Sequence, residues 1–404
     1  MITKRFLILV AAVVLAVVLA AVLVNRRAPE AEGSLAGGPV LKGLDDKIND
    51  VDTLRLVQAG GRTLLTLRRD AEGWTVAERD GYRADAGKVR TALLNLANTR
   101  VIEAKTSNAE RYPQLGVEDV EAEDAKGIRV ELSGPGVEHA IIIGNSAQST
   151  GTYVRLAGQA QSLLAAGHLM PDREVGAWLD KSIVDIPSSR IRQIELRRDN
   201  GAAWRVYKEN SGDANFKVAD VPRGREVQSD YVANGLGSML SGLSLEDVRK
   251  DSGDARGEAV LHQARYDLFD GVSIHVEGWK PENDEDAPAG AAWIRVRASL
   301  DEDAARARVA AEVEREQAEA EAAEAAQAGE GDQADGAATD KADGEGAATR
   351  PEIDLEQRTR DKLEELRKEV ADINARTEGW LFRIPGWRFA NIDKSLEDML
   401  KPRD

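Results

Sequence analysis

Apolar residues recur along this chain in several rhythms, and each rhythm predicts a different element. From Phe6 to Val24, nineteen residues in a row, there is no polar side chain. As a helix such a run reaches about 28 Å, close to the hydrocarbon thickness of a bilayer. Lys4 and Arg5 precede it, and Arg26 and Arg27 follow it. The pattern predicts a transmembrane anchor over residues 1–27. It exceeds the apolar core of roughly 7 to 15 residues usual in a cleaved signal peptide, although Leu19-Ala20-Ala21 keeps cleavage open as the alternative. The basic flanks balance, so their count does not orient the anchor. A short head and a long following body favour a cytoplasmic N-terminus.

Residues 28–47 are rich in Ala, Gly, Pro and charge, from Ala28-Pro29-Glu30 to Gly37-Gly38-Pro39. They read as a flexible tether, too poor in apolar side chains to offset their ordering entropy. Beyond them the rhythm becomes alternating. Val51 to Leu56 and Leu64 to Arg68 read as strands around Gly60-Gly61, and Trp74 to Val76 as a third. After Asp85, an expected N-cap, the positions Val89, Leu93, Leu96 and Ala97 have helical spacing. Strands are expected again at Ile128 to Leu132, Ala140 to Ile143 and Tyr153 to Leu156, with a short helical piece around Ser162 to Ala166.

The pattern then repeats. Val51, Leu54 and Leu56 align with Ile191, Ile194 and Leu196; Trp74 and Val76 with Phe216 and Val218. Val89, Leu93 and Leu96 align with Val232, Leu236 and Met239, and Ile128, Val130 and Leu132 with Val272, Ile274 and Val276. Patterns in one order at a nearly constant offset indicate an internal duplication. The fold class is therefore α+β: an N-terminal transmembrane helix, then two duplicated units of antiparallel sheet plus helix. The first unit spans residues 48–186. The second spans 187–300, with a helix near Tyr231 to Leu243, and resumes over 379–404 with the strand Gly379 to Arg383 and a helix at Leu396 to Leu400. On this reading Trp380 completes the second sheet as Tyr153 completes the first.

Residues 301–378 interrupt the second unit, at a junction matching the loop Asn145 to Gly151 of the first. Asp301 to Gln327 has the composition of a helix, Gly329 to Thr349 is a low-complexity segment, and Pro351 opens a second helix. That helix carries Leu363, Leu366, Val370 and Ile373, spaced three, four and three as in a coiled-coil seam. The insertion reads as a helical hairpin, about 35 to 40 Å long. Its facing helix offers Val309 and Val313 but is otherwise mostly Ala, so the seam reads as available to a partner. Tied into adjacent strands, the hairpin also reads as removable with little strain.

Charge sharpens this division. The chain of 404 residues has a net charge of −17. Residues 301–378 hold 24 acidic and 11 basic side chains, leaving 47 and 43 elsewhere. No basic face remains to neutralise phosphates, which argues against nucleic acid as a partner. There is no cysteine, which excludes disulfides, thiolate metal sites and lipid attachment through an N-terminal cysteine.

Candidate chemistry is sparse. His139, His168, His262 and His275 have no partner at zinc-ligand spacing; His275 and Glu277 share a strand face, which reads as solvated sheet. No phosphate-binding loop of Walker type occurs. Gly235-Leu236-Gly237-Ser238 only partly resembles a nucleophile elbow. No catalytic, cofactor-binding or metal residue is assigned, and no cofactor is expected. Trp74, Trp204 and Trp293 read as core. Trp380 and Trp387 flank Ile384-Pro385-Gly386 at the base of the hairpin; they are either core or a partner-facing aromatic patch. The candidate partner-binding residues are thus Leu363, Leu366, Val370, Ile373, Trp380 and Trp387.

The anchor and tether, Trp74-x-Val76, Tyr82-x-Ala84-Asp85 leading to Val89 and Leu93, and Trp178-x-x-Lys181 together resemble a bacterial family filed as domain of unknown function 4340. The resemblance covers about residues 48–250, and the acidic hairpin departs from the family pattern. Members resemble envelope proteins often encoded beside ABC-type export or gliding-associated transporter components. The resemblance implies an accessory subunit and transfers no catalytic residue. The expected protein is a single-pass protein of the bacterial inner membrane, mostly periplasmic. It would be a non-catalytic accessory of an envelope complex, with ABC-type transporter subunits as partners. The alternatives are an envelope-modifying enzyme using carboxylates, and a scaffold that binds peptidoglycan or an envelope protein independently of a transporter.

Overall fold

A computed structural model describes residues 36–147, 151–199, 201–281, 288, 290–330 and 355–402. The apolar run Phe6 to Val24 lies outside the described residues. Among the described residues no helix is long and apolar enough to cross a membrane. The chain divides between Asp180 and Lys181 into two compact units, somewhat before the expected boundary after residue 186.

The first unit is one antiparallel sheet with a helix on it. Its strands are β1 (Thr53–Gln58), β2 (Arg62–Arg69), β3 (Trp74–Val76), β4 (Tyr82–Arg83), β5 (Val101–Ala104), β6 (Ile128–Gly134), β7 (Val137–Ala147), β8 (Gly151–Leu156) and β9 (Ser162–Ala166). They lie in the order β4-β3-β2-β1-β6-β7-β8-β9-β5. A short helix α1 (Leu44–Lys47) precedes the sheet, and helix α2 (Ala86–Asn98) follows β4. Asp85 caps α2, its Oδ1 accepting from the Lys88 N–H at 2.9 Å, and Val89, Leu93, Leu96 and Ala97 are buried as their spacing predicts.

Two expectations for this unit fail. The end of the tether is packed: Val40, Leu41 and Leu44 are buried. Pro39 bridges to Arg100, and the Val101 N–H donates to the Gly38 carbonyl at 2.9 Å. A few well-spaced apolar side chains and an open sheet edge suffice to order that stretch. Ser162 to Ala166 is a strand, not a helical piece. Leu163 and Ala165 are buried in alternation, and β9 has a partner on each side.

The second unit begins with β10 (Ser182–Val184), β11 (Ile191–Arg198), β12 (Trp204–Tyr207), β13 (Lys217–Val218), helix α3 (Asn234–Gly237), β14 (Leu243–Ser244) and β15 (Asp247–Lys250). It continues through β16 (His262–Leu268), β17 (Val272–Trp279), β18 (Ala292–Leu300), helices α4 (Glu302–Glu330) and α5 (Leu355–Thr377), β19 (Trp380–Ile384) and helix α6 (Gly386–Phe389). Its main sheet has the order β13-β12-β11-β16-β17-β18-β19-β15. Apart from β4, the first sheet is connected in the same order.

This order relocates two of the expected matches. Leu54 and Leu56 pair with Leu132 and Val130 on β6, whereas Ile194 and Leu196 pair with Tyr266 and Ala264 on β16. By place in the strand order, Ile128 to Leu132 lines up with β16, and Val272 to Val276 lies one strand further out. Ile128 to Leu132 and Val272 to Val276 both carry apolar residues at every second position, so that spacing alone cannot tell one strand from its neighbour. Likewise β19, with Trp380, takes the place of β9 and not of Tyr153 on β8. Helices α4 and α5 lie between β18 and β19, a junction that in strand order lines up with residues 157–161 and not with Asn145 to Gly151.

The expected helix from Tyr231 to Leu243 shrinks to the single turn α3. Gly235, Gly237 and Gly242 remove helical propensity, and Gly242 has φ +55°. Gly237 lies so close to Phe216 that an added Cβ would stand 2.4 Å from the ring. Leu396 to Met399 is likewise only a single tight turn, held by reciprocal capping between Ser395 and Asp398. Helices α4 and α5 lie against each other, and residues 331–354, with most of the expected tip and Pro351, lie outside the described residues. Glu302 pairs with Arg367 at 2.7 Å, and Glu316 with Lys362 and Arg358 at 3.0 Å, a ladder that descends one helix as it climbs the other.

Candidate functional site

The hairpin seam is turned inward. Leu363 and Ile373 are each only 3% exposed, and Leu366 and Val370 are half-buried. Leu363 packs with Ala305, Val309 and Val313, and Leu366 packs against the same group. The facing helix is rich in Ala, and Ala lets two axes approach closely, so a thin sequence complement still covers the seam. The base of the hairpin is bound to its sheet. The Asp301 N–H donates to the Gly271 carbonyl at 3.2 Å. Gly271, at φ +97°, lies where an added Cβ would stand 2.7 Å from Ala305 Cα. Arg190 bridges Asp270 and Glu369, and these carboxylates hold its guanidinium above its ordinary pKa.

Trp380 lines a polar cleft of about 430 Å³ between the end of α5 and the sheet. The register of β17 and β18 sets His275 opposite Arg297 and Glu277 opposite Arg295. Arg295 clamps Asp251 through both carboxylate oxygens, and this hydrogen bonding holds Asp251 below the usual carboxylate range. His275 Nε2 lies 3.2 Å from Ser299 Oγ, and burial lowers the ring's pKa, favouring the neutral imidazole. A hydroxyl beside a neutral imidazole is the start of a nucleophilic arrangement. Among the described residues, however, no carboxylate hydrogen-bonds the other ring nitrogen to orient it. No group of His, Asp or Glu among them is placed to hold a metal ion.

Trp387 is 66% exposed, the largest apolar side chain in that state among the described residues. It leaves the short turn α6, whose Phe389 is fully buried. Phe389 meets the His262 ring edge-on at 5.1 Å and fills the space where a Cβ on Gly278 would stand, 2.7 Å from its ring. Gly386 and Gly290 touch backbone to backbone, an added Cβ on Gly386 lying 2.6 Å from the Gly290 oxygen. Arg388 stacks on Trp387 at 4.6 Å while donating to the Ser238 carbonyl at 2.7 Å. The exposed indole is thus held by a fixed guanidinium and an anchored turn. Beside it lies a recess of about 430 Å³ reaching Pro385, Ala390, Lys280 and Glu246.

Of the six sequence-predicted residues, the structure keeps Leu363 and Ile373 for the chain's own packing. It leaves Leu366 and Val370 partly covered, sets Trp380 in the cleft and presents Trp387 outward. Phe389 and the paired glycines were missed. Pro385-Gly386 signalled a turn, but nothing in the spacing said which aromatic faced in.

Residues 74–260 match the family model described as Domain of unknown function (DUF4340), a stretch running from β3 almost to β16. No curated protein and no solved structure matches the chain. The hairpin, Trp380 and Trp387 all lie beyond the matched residues.

Proposed function

We infer that this chain, a DUF4340 protein over residues 74–260, is a non-catalytic accessory subunit of an envelope complex built around an ABC-type transporter. Phe6 to Val24 holds it in the bacterial inner membrane, with the bulk of the chain periplasmic. Its two units are copies of one ancestral unit; the shared strand order and the match of Val51, Leu54 and Leu56 to Ile191, Ile194 and Leu196 support this.

The observation that carries the docking role is the 66% exposure of Trp387 on a turn fixed by Phe389 and Arg388. Trp and Arg dominate binding hot spots, and an indole already held in place loses little entropy on docking. The full chain purified from native membranes should bring down transporter subunits, and Trp387→Ser should lose them with an unchanged melting temperature. Equal recovery by the variant would remove Trp387 from the reading. Absence of transporter subunits with the wild type would remove the transporter.

The His275–Ser299 hydrogen bond favours a second reading, an envelope-modifying hydrolase. A fluorophosphonate probe that labels the wild type but not Ser299→Ala would establish it, and an unlabelled wild type would set it aside.

A further inference from the structure

The first unit contains a cavity of about 550 Å³ between helix α2 and its sheet. Leu54 and Leu56 of β1 and Val130 of β6 close its bottom; they are only 1–2% exposed, so the surface open to a guest is that of the two walls. Ala92 and Leu96, one turn apart on α2, form one wall. The opposite wall is the segment after β9, with Leu169 and Met170. That segment is held firmly: the Leu169 N–H donates to Thr152 Oγ1 at 3.2 Å, and the Trp178 indole N–H donates to the Asp172 carbonyl at 3.0 Å. Lys88 Nζ reaches from the helix to Asp172 Oδ2 at 2.9 Å, strapping the two walls together.

The strap decides what fits. A partner helix, about 10–12 Å across with its side chains, needs an open groove, and this recess is bridged. Its volume falls within the range of roughly 300–1,000 Å³ typical of small-ligand sites, which pair apolar walls with a few polar groups. At the polar end Asp85 and Asp172 outnumber Lys88, so the local charge disfavours an anionic head. Met170 is 39% exposed at the rim, an apolar side chain with uncovered surface facing an apolar cavity.

We propose that this cavity binds one linear hydrocarbon chain, its tail between the Ala92 and Met170 walls and an uncharged or cationic head beside the Lys88–Asp172 pair. The proposal is independent of docking through Trp387.

The full chain, kept in solution by an amphipathic polymer, is titrated with N-dodecyl dansylamide. The expected result is saturable one-to-one binding with a blue-shifted dansyl emission. Ala92→Phe, which fills the cavity, should weaken binding about tenfold or more. Met170→Ser at the exposed rim should weaken it in the same sense and carries the test if the Phe variant melts early. Dodecylammonium should compete better than dodecanoate. No saturable binding, or equal affinity in a folded variant, would overturn the proposal; stronger competition by dodecanoate would overturn the placement of the head.

Discussion

Asn374 on α5 and Ala298 on β18 are joined by two hydrogen bonds: the Asn374 Oδ1 accepts from the Ala298 N–H at 2.8 Å and its Nδ2 donates to the Ala298 carbonyl at 2.9 Å. β19 pairs with β18 only over Ala292 to Ile294. The rest of that edge would expose backbone polar groups, and the side-chain amide answers them as a neighbouring strand would. Asn374→Ala should therefore destabilise the protein by about 2 kcal/mol, the loss of two bonds to partly buried backbone groups. Denaturant unfolding measures it, and a change near zero would show that water replaces the amide freely.

The same contact makes the hairpin part of its unit. Replacing residues 301–378 by a short turn removes Asn374, which binds the retained Ala298 backbone, and Glu369, the partner of the retained Arg190. Loss of the two Asn374 bonds costs about 2 kcal/mol, while shortening a loop returns only about 0.6 kcal/mol per halving. The deletion should lower the melting temperature markedly, contrary to the expectation from sequence. An unchanged melting temperature would make the hairpin a true appendage.

His262 supplies a pH dependence. Burial lowers its pKa, outweighing Asp393 at 3.5 Å; Arg198 and Lys280 lower it further, and Asp199 opposes them. The unfolded chain then takes up a proton that the folded chain refuses. The stabilising contribution is complete above the ordinary histidine value of about 6.5 and declines as pH falls from there towards the lower folded value. His275, also lowered by burial, acts in the same direction. Melting temperature should fall between pH 7.5 and 5.5, and the double variant His262→Asn/His275→Asn should flatten the slope. A slope unchanged in the variant would assign it to other groups.

Topology is tested at the C-terminus. A reporter active only in the periplasm, fused after Asp404, should be active, because a five-residue head is readily left in the cytoplasm. Reporter activity only in the cytoplasm would reverse the orientation and with it the proposed partners. A mature chain starting beyond residue 20 would show a cleaved leader.

Short-range chemistry was legible in the sequence. Asp85 as a cap, the buried stripe Val89, Leu93 and Leu96, and the strands at Val51 to Leu56 and Ile191 to Leu196 depend on spacing and on neighbours a few residues away. The DUF4340 likeness and the helical character of the insertion were legible for the same reason. The order of strands was not, because Ile128 to Leu132 and Val272 to Val276 carry the same alternation and only backbone pairing tells one strand from the next. Nor was the direction of each aromatic, since Phe389 and Trp387 stand two residues apart in one turn. Tertiary structure decided between them: Gly278 leaves a space that Phe389 fills, while Trp387 stays exposed. It likewise closed the Leu363–Ile373 seam, because whether a helix face is open depends on how closely the opposite helix approaches, and the alanines of α4 permit that approach without announcing it.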